Sequence, residues 1–264
     1  LMAITFSQAT DDYLDDDVEG KGLLTPNSAV EGKSYTKLAH TWDEGFGYFG
    51  AAADYNTYTD AEIKAKNAEG KFAGYKDSNE DGKIDLDSEY NFGASVNAAK
   101  RDAGSQEGAE TDFTGDIFNA LVAGRKIIAE AEVSDAALTE DHLTALKAER
   151  DKAVMGWEKA IAATAVHYIN DVLGDMDKFG SDDYSFTSHA KHWSELKGFA
   201  LGLQFNPKSP LADKFVEFHE LLGTAPVLDS AADADIEDYK KALADARTLL
   251  HEAYGFAEEN TLNW

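Results

Sequence analysis

Apolar residues at helical spacing run through the second half of this chain, and they constrain its fold more than any other feature. From about Thr139 they recur at Leu143, Leu146, Val154, Trp157, Ile161, Ala165 and Ile169. Such spacing places an apolar stripe along one face of a long helix. No segment shows the sustained alternation that is typical of a half-buried strand. The sequence therefore predicts an all-α fold built from antiparallel helical bundles.

Further helices are predicted along the rest of the chain. The apolar residues Leu38, Trp42, Phe46 and Phe49 indicate a helix after Tyr35, and a capping box at Thr59 and Glu62 indicates a short one. Residues 1–34 carry acidic runs and several glycines, so we expect an irregular N-terminal segment followed by a helical domain over residues 35–264. The other predicted helices span residues 86–100, 112–133, 187–206, 210–222 and 236–258.

The charge and the absence of cysteine exclude several classes of function. Against 24 Lys and Arg stand 50 Asp and Glu, which gives a formal net charge of −26. Such a field repels phosphate backbones, so nucleic acid is not an expected partner. With no cysteine there is no disulfide, thiolate metal site or cysteine nucleophile. We expect a protein exported to a saline medium, with its signal peptide already removed and no transmembrane segment.

A short pattern occurs twice. Trp42-x-Glu44-x-x-Gly47 and Trp193-x-Glu195-x-x-Gly198 share their spacing, and each has a histidine just before the tryptophan. The recurrence predicts two helices related by a pseudo-repeat. Glycine in a helix interior is unfavourable, so Gly47 and Gly198 are expected where another helix crosses closely.

The repeated pattern also supplies side chains that bind metals. In a helix, residues three and four apart share a face, so His40 should lie beside Glu44 and His192 beside Glu195. If the repeats meet, these four residues form one site suited to zinc, iron or copper. His167 and His189 belong to the same constellation, while Arg150 and Glu158 are expected in a buried ionic network. The alternative is that these polar residues only satisfy one another in packed helices.

A second motif, residues 77–89, predicts a calcium loop of the EF-hand type inserted between the helices. Calcium requires several oxygen ligands. Loop positions one, five and nine carry Asp and position three carries Asn, while position seven offers a backbone carbonyl and Gly82 lies at the sharp turn. Position twelve is Ser88 instead of Glu, so the loop closes with Glu89 or Asp87, or keeps a water there. The predicted calcium ligands are Asp77, Asn79, Asp81, Lys83, Asp85 and Glu89. A single unpaired loop indicates a structural clamp.

With these motifs in hand, the chain resembles the imelysin-like family, and especially its uncharacterised exported lipoprotein branch. Residues 40–50, 157–170 and 192–207 carry the resemblance. It implies two helical bundles related by a pseudo-repeat, a periplasmic or cell-surface location with a lipid anchor through a missing N-terminus, and a role in iron or other metal uptake. The family signature is Gly-x-His-x-x-Glu, but Leu38 and Ala190 stand at the glycine positions and Asp43 at the first glutamate position. These departures favour binding over peptidase activity.

Together the residues and the resemblance indicate an exported, calcium-stabilised helical binding protein for a metal ion or metal complex. One alternative is a metallopeptidase in which Glu44 or Glu195 activates a metal-bound water held by His40 and His192. Another is a structural surface protein whose His and acidic residues only pack and solvate. The oligomeric state and the identity of the metal stay open.

Overall fold

The chain is all-α, as predicted. A computed structural model describes residues 1–71 and 73–264, and these residues form ten α-helices and two isolated β-bridges, with no strand. The helices are α1 (Met2–Gln8), α2 (Lys37–Phe49), α3 (Asp60–Ile63), α4 (Gly93–Asp102), α5 (Phe113–Glu130), α6 (Glu140–Met176), α7 (Phe186–Ala200), α8 (Phe215–Leu222), α9 (Asp233–Tyr254) and α10 (Glu258–Asn263).

By its internal contacts the chain divides into two compact units. The first unit comprises Leu1–Ala103 and Asp112–Trp157, and its core is rich in aromatic side chains. The ring of Trp157 makes edge contacts with Phe6 at 5.2 Å and with Phe49 at 5.4 Å between centroids. Such pairs add to the stabilisation that burial of their apolar surface provides.

The second unit comprises Gly104–Thr111 and Glu158–Trp264. Its core is mostly aliphatic, and Leu196, Phe218, Leu222 and Leu250 are fully buried. Helices α8 and α9 pack against each other in this unit. The residues of α6 up to Trp157 therefore belong to the first unit, and those from Glu158 belong to the second.

Helix boundaries follow local signals closely in some places and depart from them in others. Helix α6 begins one residue after Thr139, as the sequence predicts, and Thr59 and Glu62 form the predicted capping box at α3. Helix α7 is capped by Ser185, two residues before the predicted position, and it ends at Ala200, where a 3₁₀ segment takes over, earlier than the predicted end at residue 206. The helix expected over residues 86–100 begins only at Gly93, because the preceding residues complete the loop described below.

The N-terminal segment is more ordered than the sequence suggests. Within residues 1–34, expected to be irregular, α1 is followed by a π-helix over Ala9–Tyr13. Phe6, Ala9 and Leu14 are buried there, and the Thr10 hydroxyl donates to the Phe6 carbonyl at 2.9 Å. Burial of these apolar side chains stabilises the segment, although its acidic composition suggests an irregular chain.

The repeated glycines do not mark close helix contacts. Among the residues that the structure describes, a Cβ added at Gly47 or at Gly198 would meet no other element within 4 Å, so that prediction is wrong. Close approach occurs instead at Gly124 of α5, where an added Cβ would lie 2.5 Å from Cη2 of the Trp42 ring. The repeated tryptophans also differ: the Trp42 indole donates to the Leu121 carbonyl at 2.8 Å, whereas Trp193 donates to a tyrosine hydroxyl.

Candidate functional site

Residues 77–89 fold into a loop that its own acidic side chains organise. The Asp77 carboxylate accepts hydrogen bonds from the amides of Asp81 at 3.1 Å and Gly82 at 2.8 Å. Asn79 accepts from the Asp81 amide at 2.9 Å, and Asp81 accepts from the Lys83 amide at 2.9 Å. Gly82 has a φ of 81°, which favours glycine at this turn. The side chains predicted as ligands thus surround one short stretch of backbone.

Glu89 closes this loop. One oxygen of its carboxylate accepts from the amides of Ser78 at 2.9 Å and Asn79 at 3.1 Å, and the other accepts from the Asp85 amide at 3.0 Å. These hydrogen bonds lower the pKa of the Glu89 carboxyl, and the bond from the Asp85 amide has the largest effect. Although the loop surface is exposed, Glu89 is buried. Of the closing residues considered from the sequence, the structure places Glu89 against the loop backbone; its binding to calcium stays a prediction.

The ends of the loop are joined without flanking helices. Tyr75 and Tyr90 form an isolated antiparallel bridge, and their rings stack 5.7 Å apart. The Ser88 carbonyl accepts from the Ala53 amide at 2.7 Å, which ties the loop to the segment after α2. This arrangement differs from a helix–loop–helix hand, and it suits a clamp that holds two parts of the first unit together.

The first histidine and carboxylate pair lies on α2, in the first unit. His40 Nε2 is 3.8 Å from a carboxylate oxygen of Glu44, and both side chains are about half exposed, at 54% and 42%. The His40 ring stacks on Tyr35 at 5.1 Å between centroids. Asp43, one residue before Glu44, pairs with Arg125 at 2.8 Å instead. His40 and Glu44 are therefore neighbours, as their spacing predicts.

The second histidine, His192 on α7, has partners that the motif does not contain. Its Nδ1 lies 2.7 Å from the buried carboxylate of Asp175, and its Nε2 lies 3.8 Å from Asp171. Asp171 also pairs with His167 at 3.4 Å. Glu195, which the spacing places beside His192, forms an ion pair with Lys191 at 3.5 Å.

Sequence reasoning missed Asp171 and Asp175, although a signal for them exists. His167, Asp171 and Asp175 follow one another at intervals of four on α6, and such residues share a helix face. The four residues of the predicted site thus lie two in each unit, with His40 and Glu44 in the first and His192 and Glu195 in the second, and only the first two contact each other. Among the described residues, no group of three or more His, Asp or Glu side chains is arranged to hold a metal ion.

A buried histidine lies close to this cluster. His189 is fully buried, and its Nδ1 is 3.2 Å from the Tyr184 hydroxyl. Burial lowers the pKa of the His189 imidazole, although the nearby Asp175 carboxylate acts in the opposite direction. A neutral imidazole is the form that ligates metals.

Arg150 and Glu158 lie in separate polar networks, one in each unit. Arg150 pairs with Asp16 at 2.9 Å and with Asp151 at 2.6 Å. Glu158 has no exposed surface, and it accepts hydrogen bonds from Asn206, Ser209 and, at 2.8 Å, from Tyr254. Burial raises the pKa of the Glu158 carboxyl, and these neutral donors only partly oppose it. The expected buried ionic network therefore holds for Arg150, which forms ion pairs, whereas Glu158 accepts hydrogen bonds from neutral donors.

Comparison with known proteins gives one match. A family model described as Domain of unknown function (DUF4856) matches residues 1–87. No curated protein and no solved structure matches the chain. The match covers α1 to α3 and most of the acidic loop, up to Asp87, but it does not test the resemblance to imelysin-like proteins, which stays a prediction. Among the described residues, no helix combines the length and the apolar character needed to cross a membrane.

Proposed function

We propose that this protein is an exported, calcium-stabilised helical binding protein, in which residues 77–89 bind one calcium ion. The observation that carries the proposal is the folded acidic loop. Asp77, Asn79, Asp81 and Asp85 occur at the spacing of calcium ligands, and Glu89 holds the loop backbone in place.

Electrostatics supports a structural role for this ion. The loop gathers several carboxylates in a chain whose formal net charge is already −26. Repulsion between them opposes the compact loop, and a divalent cation would relieve it. Because position twelve lacks its glutamate, we expect weak binding, with a Kd of about 10⁻⁴ to 10⁻³ M as in extracellular modules. Such an affinity fits an exported protein.

Thermal melting with calcium and with chelator tests this proposal. At calcium about 100 times Kd, binding to the folded state alone stabilises it by about 2.7 kcal/mol. The transition of the first unit should therefore shift upwards. Asp81→Ala should abolish the shift, whereas Glu80→Gln, which removes one charge from the same loop at a non-ligand position, should retain it. Identical melting of the parent protein in calcium and in chelator would overturn the calcium proposal.

We further propose that the histidine and carboxylate pairs serve in binding a metal ion or metal complex. Support comes from the distances within each unit, because His40 and His192 both have carboxylates within 4 Å. A bound zinc ion would bring imidazole nitrogens to about 2.0–2.1 Å from the metal. The departures from the family signature favour binding here over peptide hydrolysis.

Metal content and titration of protein without a histidine tag test this second proposal. Affinity for zinc, copper or iron should fall at acidic pH, because a protonated imidazole does not ligate a metal. The single variants His40→Ala and His192→Ala show which unit binds, and the double variant should lose binding. Unchanged binding by the double variant would reject the acquisition role. Metal-dependent hydrolysis of an unfolded polypeptide that is lost in Glu44→Gln or Glu195→Gln would support the metallopeptidase alternative.

A further inference from the structure

A cavity of about 540 Å³ opens in the first unit beside the start of α2. Its lining includes Asp12, Tyr13, Lys21, Tyr35, Lys37 and His40. This volume lies within the range of about 300–1,000 Å³ that is usual for small-molecule sites. The calcium loop contributes no residue to the lining, so the cavity is a separate feature of the first unit.

The charge of the lining is opposite to that of the protein. The lining contains two lysines, Lys21 and Lys37, and one carboxylate, Asp12, whereas acidic residues outnumber basic ones by 50 to 24 in the whole chain. Among the ion pairs of the described residues, neither lysine has a carboxylate partner, while Asp12 already accepts a hydrogen bond from Gln8. Two lysines without carboxylate partners are the feature of this cavity that would attract an anion in so acidic a chain.

Flat aromatic surfaces stand beside these lysines. The rings of Tyr35 and His40 are stacked, with an angle of 22° between their planes. Tyr13 packs on Tyr48 at 5.4 Å between centroids. Aromatic side chains at a pocket wall favour a ligand that carries a planar ring, because offset stacking adds to the burial of apolar surface.

We infer that this cavity binds a small aromatic carboxylate. Lys21 and Lys37 would contact the carboxylate group, and Tyr13 and Tyr35 would contact the ring. This inference goes beyond the proposed metal binding, since the lysines carry it and no metal is required. His40 belongs to both, and the experiment therefore keeps the two apart by substituting the lysines.

Three probes of similar shape and different charge test the inference: benzoate, benzamide and benzylamine. Titrations use the full chain in calcium-containing buffer without transition metals, followed by ligand-observed NMR or calorimetry. We expect benzoate to bind more tightly than the neutral and the cationic probe. The double variant Lys21→Gln, Lys37→Gln should weaken benzoate binding by about tenfold, because it removes two charge-assisted hydrogen bonds.

The matched control is Lys33→Gln, an exposed lysine of the same segment that does not line the cavity. It should bind benzoate like the parent, and all variants should keep the parent melting temperature. Tyr35→Ala should weaken benzoate and benzamide alike, as expected for lost stacking. Absence of benzoate binding, preference for benzylamine, or unchanged affinity in the double lysine variant would overturn the inference. The zinc test compares the His40→Ala variant with the parent and does not depend on benzoate binding. The two proposals can therefore fail separately.

Discussion

Replacing Gly124 with alanine should destabilise the first unit, whereas the same change at Gly47 should stabilise it. Both glycines lie within helices, but their surroundings differ. An added Cβ at Gly124 would lie 2.5 Å from Cη2 and 2.9 Å from Cε2 of Trp42, and still closer to Cζ2. At Gly47, apart from the backbone of its own helix and its chain neighbours, no atom of the described residues would lie within 4 Å of an added Cβ. Both substitutions add one methyl group to a helix, so comparing them separates the effect of helix propensity from the effect of packing.

The expected magnitude follows from the immobility of the indole. Trp42 is buried, and its Nε1 donates to the Leu121 carbonyl at 2.8 Å, one turn before Gly124 on the same helix. The ring cannot retreat without breaking that bond. Overpacking costs about 1–3 kcal/mol and an unsatisfied buried group about 1–3 kcal/mol, against about 1 kcal/mol gained in propensity. We expect a net loss of about 3 kcal/mol for Gly124→Ala and a gain of about 0.8–1 kcal/mol for Gly47→Ala.

Thermal and denaturant unfolding, followed by tryptophan fluorescence, measure both changes. For a chain of this size, about 3 kcal/mol corresponds to a fall of roughly 6–12 °C in Tm. Because the chain has two units, the transitions are fitted separately. In a Trp42→Phe background, which removes the crowding atoms, Gly124→Ala should cost much less. A Gly124→Ala protein as stable as the parent, or an equal cost in both backgrounds, would refute the packing argument.

The half-buried Asp60 and the buried Glu158 should make stability depend on pH. Burial, and then the charge of Asp102, raises the pKa of Asp60 from 3.8 to about 6. The folded state therefore holds the Asp60 proton more tightly than the unfolded state, so the free energy of unfolding should fall as pH rises from about 4 to 6. Asp60→Asn should flatten that part of the dependence of stability on pH. Burial likewise raises the pKa of Glu158 above 4.5, so Glu158→Gln should reduce the loss of stability of the second unit as pH rises above that value. Profiles of the variants parallel to the parent would show that these groups are not responsible.

Local patterns predicted much of the helical fold. Helix α6, the capping box at Thr59 and the start of α2 depend on residues within a few positions of one another, and each was predicted from the sequence. The start of α4 was placed too early, because the hydrogen bonds of Glu89 and the bridge at Tyr90 keep the preceding residues in the loop. The order of residues 2–13 was missed, since it depends on packing of Phe6 against Trp157, far along the chain.

The same distinction explains why the two candidate sites were predictable to different degrees. The acidic loop is almost self-contained, because its side chains bind the backbone of the same short segment, and its spacing indicates the loop while leaving the closing residue open. The repeated histidines depend on long-range contacts that the motif does not encode: His40 contacts Glu44 on its own helix, whereas His192 contacts Asp175 on another. The histidines of the repeated motif thus have different partners in the two units. For this reason the single-histidine variants are needed beside the double variant, because they show which of the two units binds metal.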